Sequence, residues 1–414
     1  MRKIGFVVQR YGLEVNGGAE YHCRVLAEKL KAIFEVEVLT TCAKNYITWE
    51  NEYVPGNSTV NGIVVRRFPV EKARESVRAY KLGRILRKRS LHQKLLRLFG
   101  LLDTYERVFK SKVDMNTISE EWSEAQGPYT PELISYLKEN HGSYDALIFF
   151  TYLYFPTFQG LRVAPEKSIL IPTAHDEPEL HMPGFEQVFN LPGAILFNTL
   201  AEKNLVHRVF DNAYIYHDIV GVGIDSATGP DDNMQQREFD FRYFIYIGRI
   251  DHAKGCAMMI DYFLRYVKLT TESCKLVLIG QQFMEVPVSD NIMSLGYVSE
   301  SRKLNLLRGA QALIMPSYYE SLSLVTLESM KEGTLVIVNE HCEVLQMHVE
   351  ESHSGLLFKD FATFKLALDS VLHLKVDLPA MKVNGEAYVH DNYDWEVVKR
   401  KVSSAVDHII AVKC

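Results

Sequence analysis

The chain has 414 residues, enough for two or three domains at roughly 100–200 residues each. It is 47% hydrophobic and 24% charged, the composition of a folded globular protein, which excludes general disorder. Its 46 basic and 52 acidic residues leave a net charge of −6, a poor match for duplex nucleic acid, whose binding is driven by neutralising phosphates.

The first apolar run, Ile4–Val8, suits a buried strand and is too short for a signal-peptide core or a membrane span. After a loop containing Asn16-Gly17-Gly18, Tyr21, Val25, Leu26 and Leu30 keep helical spacing within Ala19–Ala32. Strands are expected at Val36–Thr40, Ile63–Phe68, Ala146–Phe150, Ser168–Ile171 and Ala194–Phe197. A second series follows Gly221–Asp225 and the turn-rich Ser226–Asn233. It reads as strand Phe244–Ile247, helix Ala257–Val267, strands Leu276–Ile279 and Ile292–Leu295, helix Ser301–Gly309, strand Ala312–Met315, helix Val325–Glu332 and strand Leu335–Val338, with a last helix from Trp395. Such alternation predicts an α/β chain of two Rossmann-like, doubly wound domains with parallel sheets covered on both faces. Ligands of such sheets bind beyond the strand C-termini, so a cleft between the domains is the expected site. The expected division is 1–222 and 223–392, followed by a terminal helix within 393–414.

Six scattered cysteines, Cys23, Cys42, Cys256, Cys274, Cys342 and Cys414, form no CxxC pair. They suggest neither a disulfide framework nor a zinc site, and reduced thiols in the cytoplasm are the simplest reading. One segment departs from the acidic average. Arg78, Lys81, Arg84, Arg87, Lys88, Arg89, Lys94 and Arg97 lie within 78–97 with no acidic residue, interleaved with Leu82, Ile85, Leu86, Leu91, Leu95, Leu96 and Leu98. A basic amphipathic helix at 78–98 can lie on an anionic membrane, and a surface helix with a solvated charged face is the plainer alternative.

Two motifs carry chemistry. In Tyr246-Ile247-Gly248-Arg249-Ile250-Asp251-His252-Ala253-Lys254-Gly255, a strand ends in Gly248 and two cations follow in the loop. Together they can neutralise a diphosphate, and Gly255 allows close backbone approach. In Pro316–Glu328, Glu320 closes a strand–loop segment and Glu328 lies about one turn into a helix whose N-terminal amides favour anions. These carboxylates can accept hydrogen bonds from sugar and ribose hydroxyls. Taken singly, Glu320 also reads as a helix N-terminal charge and Glu328 as a solvent-facing helix residue.

With those motifs in order, and with Asn16-Gly17-Gly18-Ala19-Glu20 and Gly221–Asp225 in place, the chain resembles family 4 glycosyltransferases. These are retaining, nucleotide-sugar-dependent enzymes of the GT-B fold. The resemblance implies that Gly248, Arg249, Lys254, Glu320, Ser321, Leu322, Ser323, Leu324, Val325 and Glu328 bind the donor, with Val298 near the base. Arg249 and Lys254 would take the diphosphate, Glu328 the ribose and Glu320 the sugar hydroxyls. The family has Gly-Phe-Gly where this chain has Ser321-Leu322-Ser323, a less permissive loop. His175, after strand Ser168–Ile171, matches the histidine that approaches the reacting carbon, and a core histidine is its plainer reading. Asp176 and Glu177 would bind acceptor hydroxyls or cap the next segment; Gly17 and Gly18 would admit a phosphate or acceptor, or form a plain turn.

The catalytic set is therefore Arg249, Lys254, Glu320 and His175, with no metal, because two cations do its work and no DxD-type cluster is present. The expected activity is transfer of a sugar, mannose or rhamnose, to a glycan or lipid-linked acceptor in bacterial surface polysaccharide synthesis: O-antigen, capsule or lipopolysaccharide. The expected place is the cytoplasm or the cytoplasmic face of the inner membrane. The rivals are a GT-B phosphorylase or epimerase, and a non-catalytic nucleotide-sugar-binding scaffold.

Overall fold

A computed structural model describes residues 1–15, 17–98, 115–225 and 238–412, without the side chains of 88–95, 97 and 98. The chain divides into two compact units, Met1–Gly221 with Lys399–Cys414, and Val222–Val398.

The first unit contains, in order, β1 (Lys3–Val7), α1 (Gly18–Leu30), β2 (Glu35–Thr41), β3 (Gly56–Val60), β4 (Ile63–Phe68), α2 (Ser76–Leu98), α3 (Met115–Gln126), α4 (Pro131–Asn140), β5 (Ala146–Phe150), α5 (Phe155–Gly160), β6 (Ser168–Ile171), α6 (Phe185–Asn190), β7 (Ala194–Phe197), α7 (Leu200–Phe210) and β8 (Tyr216–Ile219). Its strands form one sheet in the order β3-β4-β2-β1-β5-β6-β7-β8. All neighbours are parallel except β3 and β4. β5, β6 and β7 are buried at every residue, as continuous apolar runs require when helices cover both faces.

The departures are at sheet edges: β3, β8 and a strand at Gly355–Phe358 in the second unit lie outside the expected series. Strand β3 went unread because four of its five residues are exposed and carry no apolar alternation. The signal was the turn: Asn61 (φ 48°) and Gly62 (φ 77°) are both left-handed, as a two-residue hairpin needs.

Helix α2 contains the acid-free basic segment. Ala79 and Leu86 join a core that includes Ile118, Trp122 and Ala125 of α3, with Leu82 packed against it. Leu82 and Leu86 of its apolar stripe are thus spent inside the unit. Arg78 pairs with Glu75 and Glu121, each at 3.0 Å, and Arg87 with Glu179 at 2.8 Å. Val77, Tyr80, Lys81, Arg84 and Ile85 stay exposed. The side chains of Lys88, Arg89, Lys94 and Arg97 lie outside the described set.

The second unit contains β9 (Arg242–Ile247), α8 (Cys256–Val267), β10 (Cys274–Ile279), β11 (Ile292–Gly296), α9 (Glu300–Gly309), β12 (Leu313–Met315), α10 (Leu324–Lys331), β13 (Val336–Asn339), α11 (Glu343–Ser352), β14 (Gly355–Phe358), α12 (Phe361–Leu372) and α13 (Leu378–Tyr393). The sheet order is β11-β10-β9-β12-β13-β14, parallel throughout. The last helix, α14 (Trp395–Ala411), passes into the first unit at Lys399. There Lys401 Nζ donates to the Ile219 carbonyl at 2.5 Å, and His408 stacks on Tyr216 with centroids 4.3 Å apart. Among the described residues no helix is long and apolar enough to cross a membrane.

Candidate active site

Each sheet reverses its strand order once along its middle, and the loops flanking that reversal are where such sheets hold ligands. In the second unit the reversal falls between β9 and β12. The loops leaving those strands are 248–255 and 316–323, which contain both chemical motifs. The first loop is shaped by Gly255, at φ 74°: a Cβ there would sit 2.4 Å from the Pro316 carbonyl oxygen. Close backbone approach was expected at this glycine, and the approaching group is the chain's own neighbouring loop. Asp251 Oδ1 accepts the Lys254 N–H at 2.7 Å, and the Tyr246 hydroxyl donates to the Arg249 carbonyl at 2.7 Å. Two side chains thus brace the loop that presents the cations.

Lys254 Nζ donates to Glu320 Oε1 at 2.7 Å, joining the two motifs directly. Arg249 lies 3.6 Å from Asp251 and keeps half its side chain in solvent. Glu328 is not solvent-facing: its side chain is 17% exposed and accepts from Lys303 Nζ at 2.7 Å. Lys303 also reaches Glu300 at 2.6 Å. Burial works against the Lys303 charge, yet the two carboxylates hold its ammonium above the ordinary lysine range.

Ser323 adopts φ 60°, the left-handed conformation that glycine favours. Its hydroxyl lies 2.8 Å from that of Thr326. The loop is held from beneath by His348, a fully buried residue of α11 whose Nε2 donates to the Leu322 carbonyl at 2.8 Å. Burial pushes His348 down to about 4, so it is neutral there. Leu324 and Val325 open α10. Val298 is buried beside Tyr297, which is 89% exposed.

In the first unit the reversal falls between β1 and β5, and His175 follows the next strand, β6. His175 Nε2 lies 3.3 Å from Glu177 Oε2, and the Tyr152 hydroxyl donates to the other oxygen of Glu177. Burial opposes the Glu177 charge, but His175 and Tyr152 hold its carboxyl below the usual range. Asp176 pairs instead with His181 at 2.6 Å. Neither acid caps the next helix, whose N-cap is Gly184.

The turn carrying His175 bends through Thr173 at φ 52°. Beneath it lies Glu202, 1% exposed, a residue missed in sequence. The N–H groups of Ala174 and Asn198 donate to its two oxygens at 2.5 and 2.6 Å. Burial pushes its carboxyl up to about 8 against the pull of those bonds. The signal was Thr199-x-x-Glu202, a helix-start pattern in which Glu202 N–H donates to Thr199 Oγ1 at 3.1 Å.

The two glycines before α1 differ. A Cβ on Gly17 would lie 1.9 Å from Glu20 Oε2, whereas Gly18 has nothing within 4 Å. Glu20 Oε1 accepts from Arg10 Nε at 2.9 Å, Arg10 Nη2 at 2.6 Å and Gln9 Nε2 at 2.9 Å. The space over Gly17 is therefore filled by this cluster, and only Gly18 leaves its backbone open. Among the described residues no group of three or more His, Cys, Asp or Glu side chains could hold a metal ion.

Comparison with known proteins gives this geometry a context. Residues 231–388 match the family model described as glycosyl transferases group 1. A Methanocaldococcus jannaschii protein named as an uncharacterized glycosyltransferase is 24% identical over 174 residues, covering 39% of this chain and 44% of that relative. The match thus spans under half of the relative's length. Sucrose-phosphate synthase from Thermosynechococcus elongatus superposes with a TM-score of 0.67 at 15% identity over 100% of both chains. Anabaena HepE, in complex with UDP-glucose, gives 0.65 at 14% identity over 98% of this chain and 100% of its own. WaaG, a glycosyltransferase involved in lipopolysaccharide biosynthesis, gives 0.61 at 14% identity over 97% and 99%. The chain thus has the GT-B fold, and its segment 231–388 matches the group 1 glycosyl transferases.

Proposed function

We propose that this chain is a retaining glycosyltransferase that moves a sugar from a nucleoside diphosphate to a hydroxyl of a glycan or lipid-linked acceptor. One observation carries the reading. At the strand-order reversal of the second unit, inside the segment matched by the group 1 model, Lys254 and Glu320 meet at 2.7 Å with Arg249 on the same loop. The ion pair stores Lys254 in a fixed place before any donor arrives.

Arg249 and Lys254 neutralise the diphosphate as it leaves, Glu320 accepts from sugar hydroxyls and Glu328 from the ribose. The acceptor oxygen attacks the anomeric carbon on the face from which the diphosphate departs, and a diphosphate oxygen takes the acceptor proton. That path needs no protein nucleophile and no metal. Its rate comes from charge stabilisation and orientation. In the first unit His175, steadied by Glu177 and Tyr152, is assigned to the donor sugar, and Asp176, Glu177 and Gly18 to the acceptor.

The donor sugar is assigned as mannose or rhamnose, and the pathway as bacterial surface polysaccharide assembly: O-antigen, capsule or lipopolysaccharide. The WaaG likeness supports that direction. The place is the cytoplasm, with peripheral contact at the inner membrane through α2. That contact rests on Lys81 and Arg84 beside exposed Val77, Tyr80 and Ile85. A thermal-shift screen of nucleotide-sugars tests the donor, since a bound ligand stabilises by mass action. One donor should raise Tm, and the wild-type chain should release its nucleoside diphosphate only when acceptor is present. Turnover with inorganic phosphate in place of acceptor would indicate a phosphorylase, and binding without turnover a scaffold.

A further inference from the structure

Glu328 lies on α10, and the residue that holds it lies on a different helix. Lys303, on α9, is 25 positions away in sequence and mostly buried, with 14% of its side chain exposed. Its ammonium donates to Glu328 Oε2 at 2.7 Å, and among the described residues no hydrogen-bond donor reaches Oε1. Glu300, 69% exposed, lies 2.6 Å from the same ammonium on its solvent side.

We infer that Lys303 is a positioning residue for nucleotide binding: it fixes the Glu328 carboxylate by one oxygen and leaves the other to accept from the ribose hydroxyls of a nucleoside diphosphate. The inference rests on the donor site proposed above and adds a residue to it. The physical reason is twofold. A carboxylate accepts two hydroxyl hydrogen bonds well only when ionised and held at one angle. Burial, with Glu300 nearby and Glu332 one turn on, raises the Glu328 carboxyl above its ordinary value even against the pull of the Lys303 ammonium, so without Lys303 it would favour its neutral form further or swing toward solvent. Lys303 supplies a counter-charge that touches neither phosphate nor sugar.

The test is a double-mutant cycle on the affinity of the full chain for UDP and for GDP, measured by titration calorimetry. Lys303→Met and Glu328→Gln should each weaken binding about tenfold, and the double variant should be no more than about twofold weaker than either single one. Lys303→Arg keeps the charge and should recover most of the affinity, which separates lost positioning from damaged folding. Turnover at saturating donor should fall less than the donor KM rises. Effects of the two substitutions that multiply, or a Lys303→Met variant with wild-type affinity, would overturn the inference while leaving the donor site standing. Failure of the wild-type chain to bind UDP, GDP, ADP and dTDP alike would overturn the proposed function, and this inference with it.

Discussion

The two strand-end sites differ in what chiefly links their chemical groups: cation–carboxylate pairs between neighbouring elements in the second unit, and a turn anchored on the buried Glu202 in the first. In the second unit, side chains hold one another by charge: Lys254 with Glu320, Lys303 with Glu328, Arg249 with Asp251. In the first unit, the turn around His175 is held by its main chain, through the N–H groups that Glu202 accepts below it. The contrast matches the tasks proposed for them. A diphosphate needs charge set in place before it arrives, and an ion pair holds its cation where a phosphate oxygen can take it over. A histidine that must meet one carbon needs a fixed backbone, which buried hydrogen bonds supply.

The largest effect should come from breaking the charged site. Lys254→Ala should lower turnover by about 10²–10³-fold, as loss of one preorganised charge donor does, with only a modest fall in Tm from leaving Glu320, 12% exposed, without its partner. A steady-state assay with the donor found by thermal shift measures it. The backbone-held site should break differently. Glu202→Ala leaves two buried N–H groups unpaired, at about 1–3 kcal/mol each, so stability and turnover should fall together. Denaturant unfolding beside the same assay reads both.

That comparison sharpens with pH. Burial pushes the Glu202 carboxyl up to about 8, well above its value in an unfolded chain. A folded-state value raised in this way gives stability that is full below the unfolded value and lost as pH rises through about 8. Wild-type Tm should therefore fall between pH 6.5 and 8.5, and Glu202→Gln should flatten that slope. A slope unchanged by the substitution would remove Glu202 as its source.

Smaller effects are expected at the surface and in the loop. Lys81→Glu with Arg84→Glu should weaken binding to phosphatidylglycerol vesicles roughly tenfold or more, at about 1 kcal/mol per basic residue, and leave turnover on a soluble acceptor unchanged. Equal vesicle binding by both proteins would leave α2 a solvated helix. Ser323→Gly relieves a left-handed non-glycine residue but removes the hydroxyl bonded to buried Thr326, so the two effects, each about 1 kcal/mol, should nearly cancel in denaturant unfolding.

What could be read from sequence follows from where the information lies. β5, β6 and β7 were legible as continuous apolar runs, and Arg249 and Lys254 as two cations on one short loop. β3 was not, because an exposed edge strand needs no apolar pattern, and its Asn61-Gly62 turn was the only mark. Glu202, Lys303 and His348 were not, because each acts on a partner 25 to 28 positions away. Gly17 misled in the other direction: its open backbone is filled by the chain's own Glu20. Basic α2 was legible only as a segment: Leu82 and Leu86 of its apolar stripe serve the first unit's core while Ile85 stays exposed, a division set by packing against α3.

Titration of the full chain with UDP, GDP, ADP and dTDP tests the central claim most directly, that the second unit's ion pairs form a nucleoside diphosphate site. One nucleotide should bind one-to-one, and Lys254→Ala should weaken it at least tenfold. Absence of binding by all four, or binding that Lys254→Ala leaves unchanged, would contradict it.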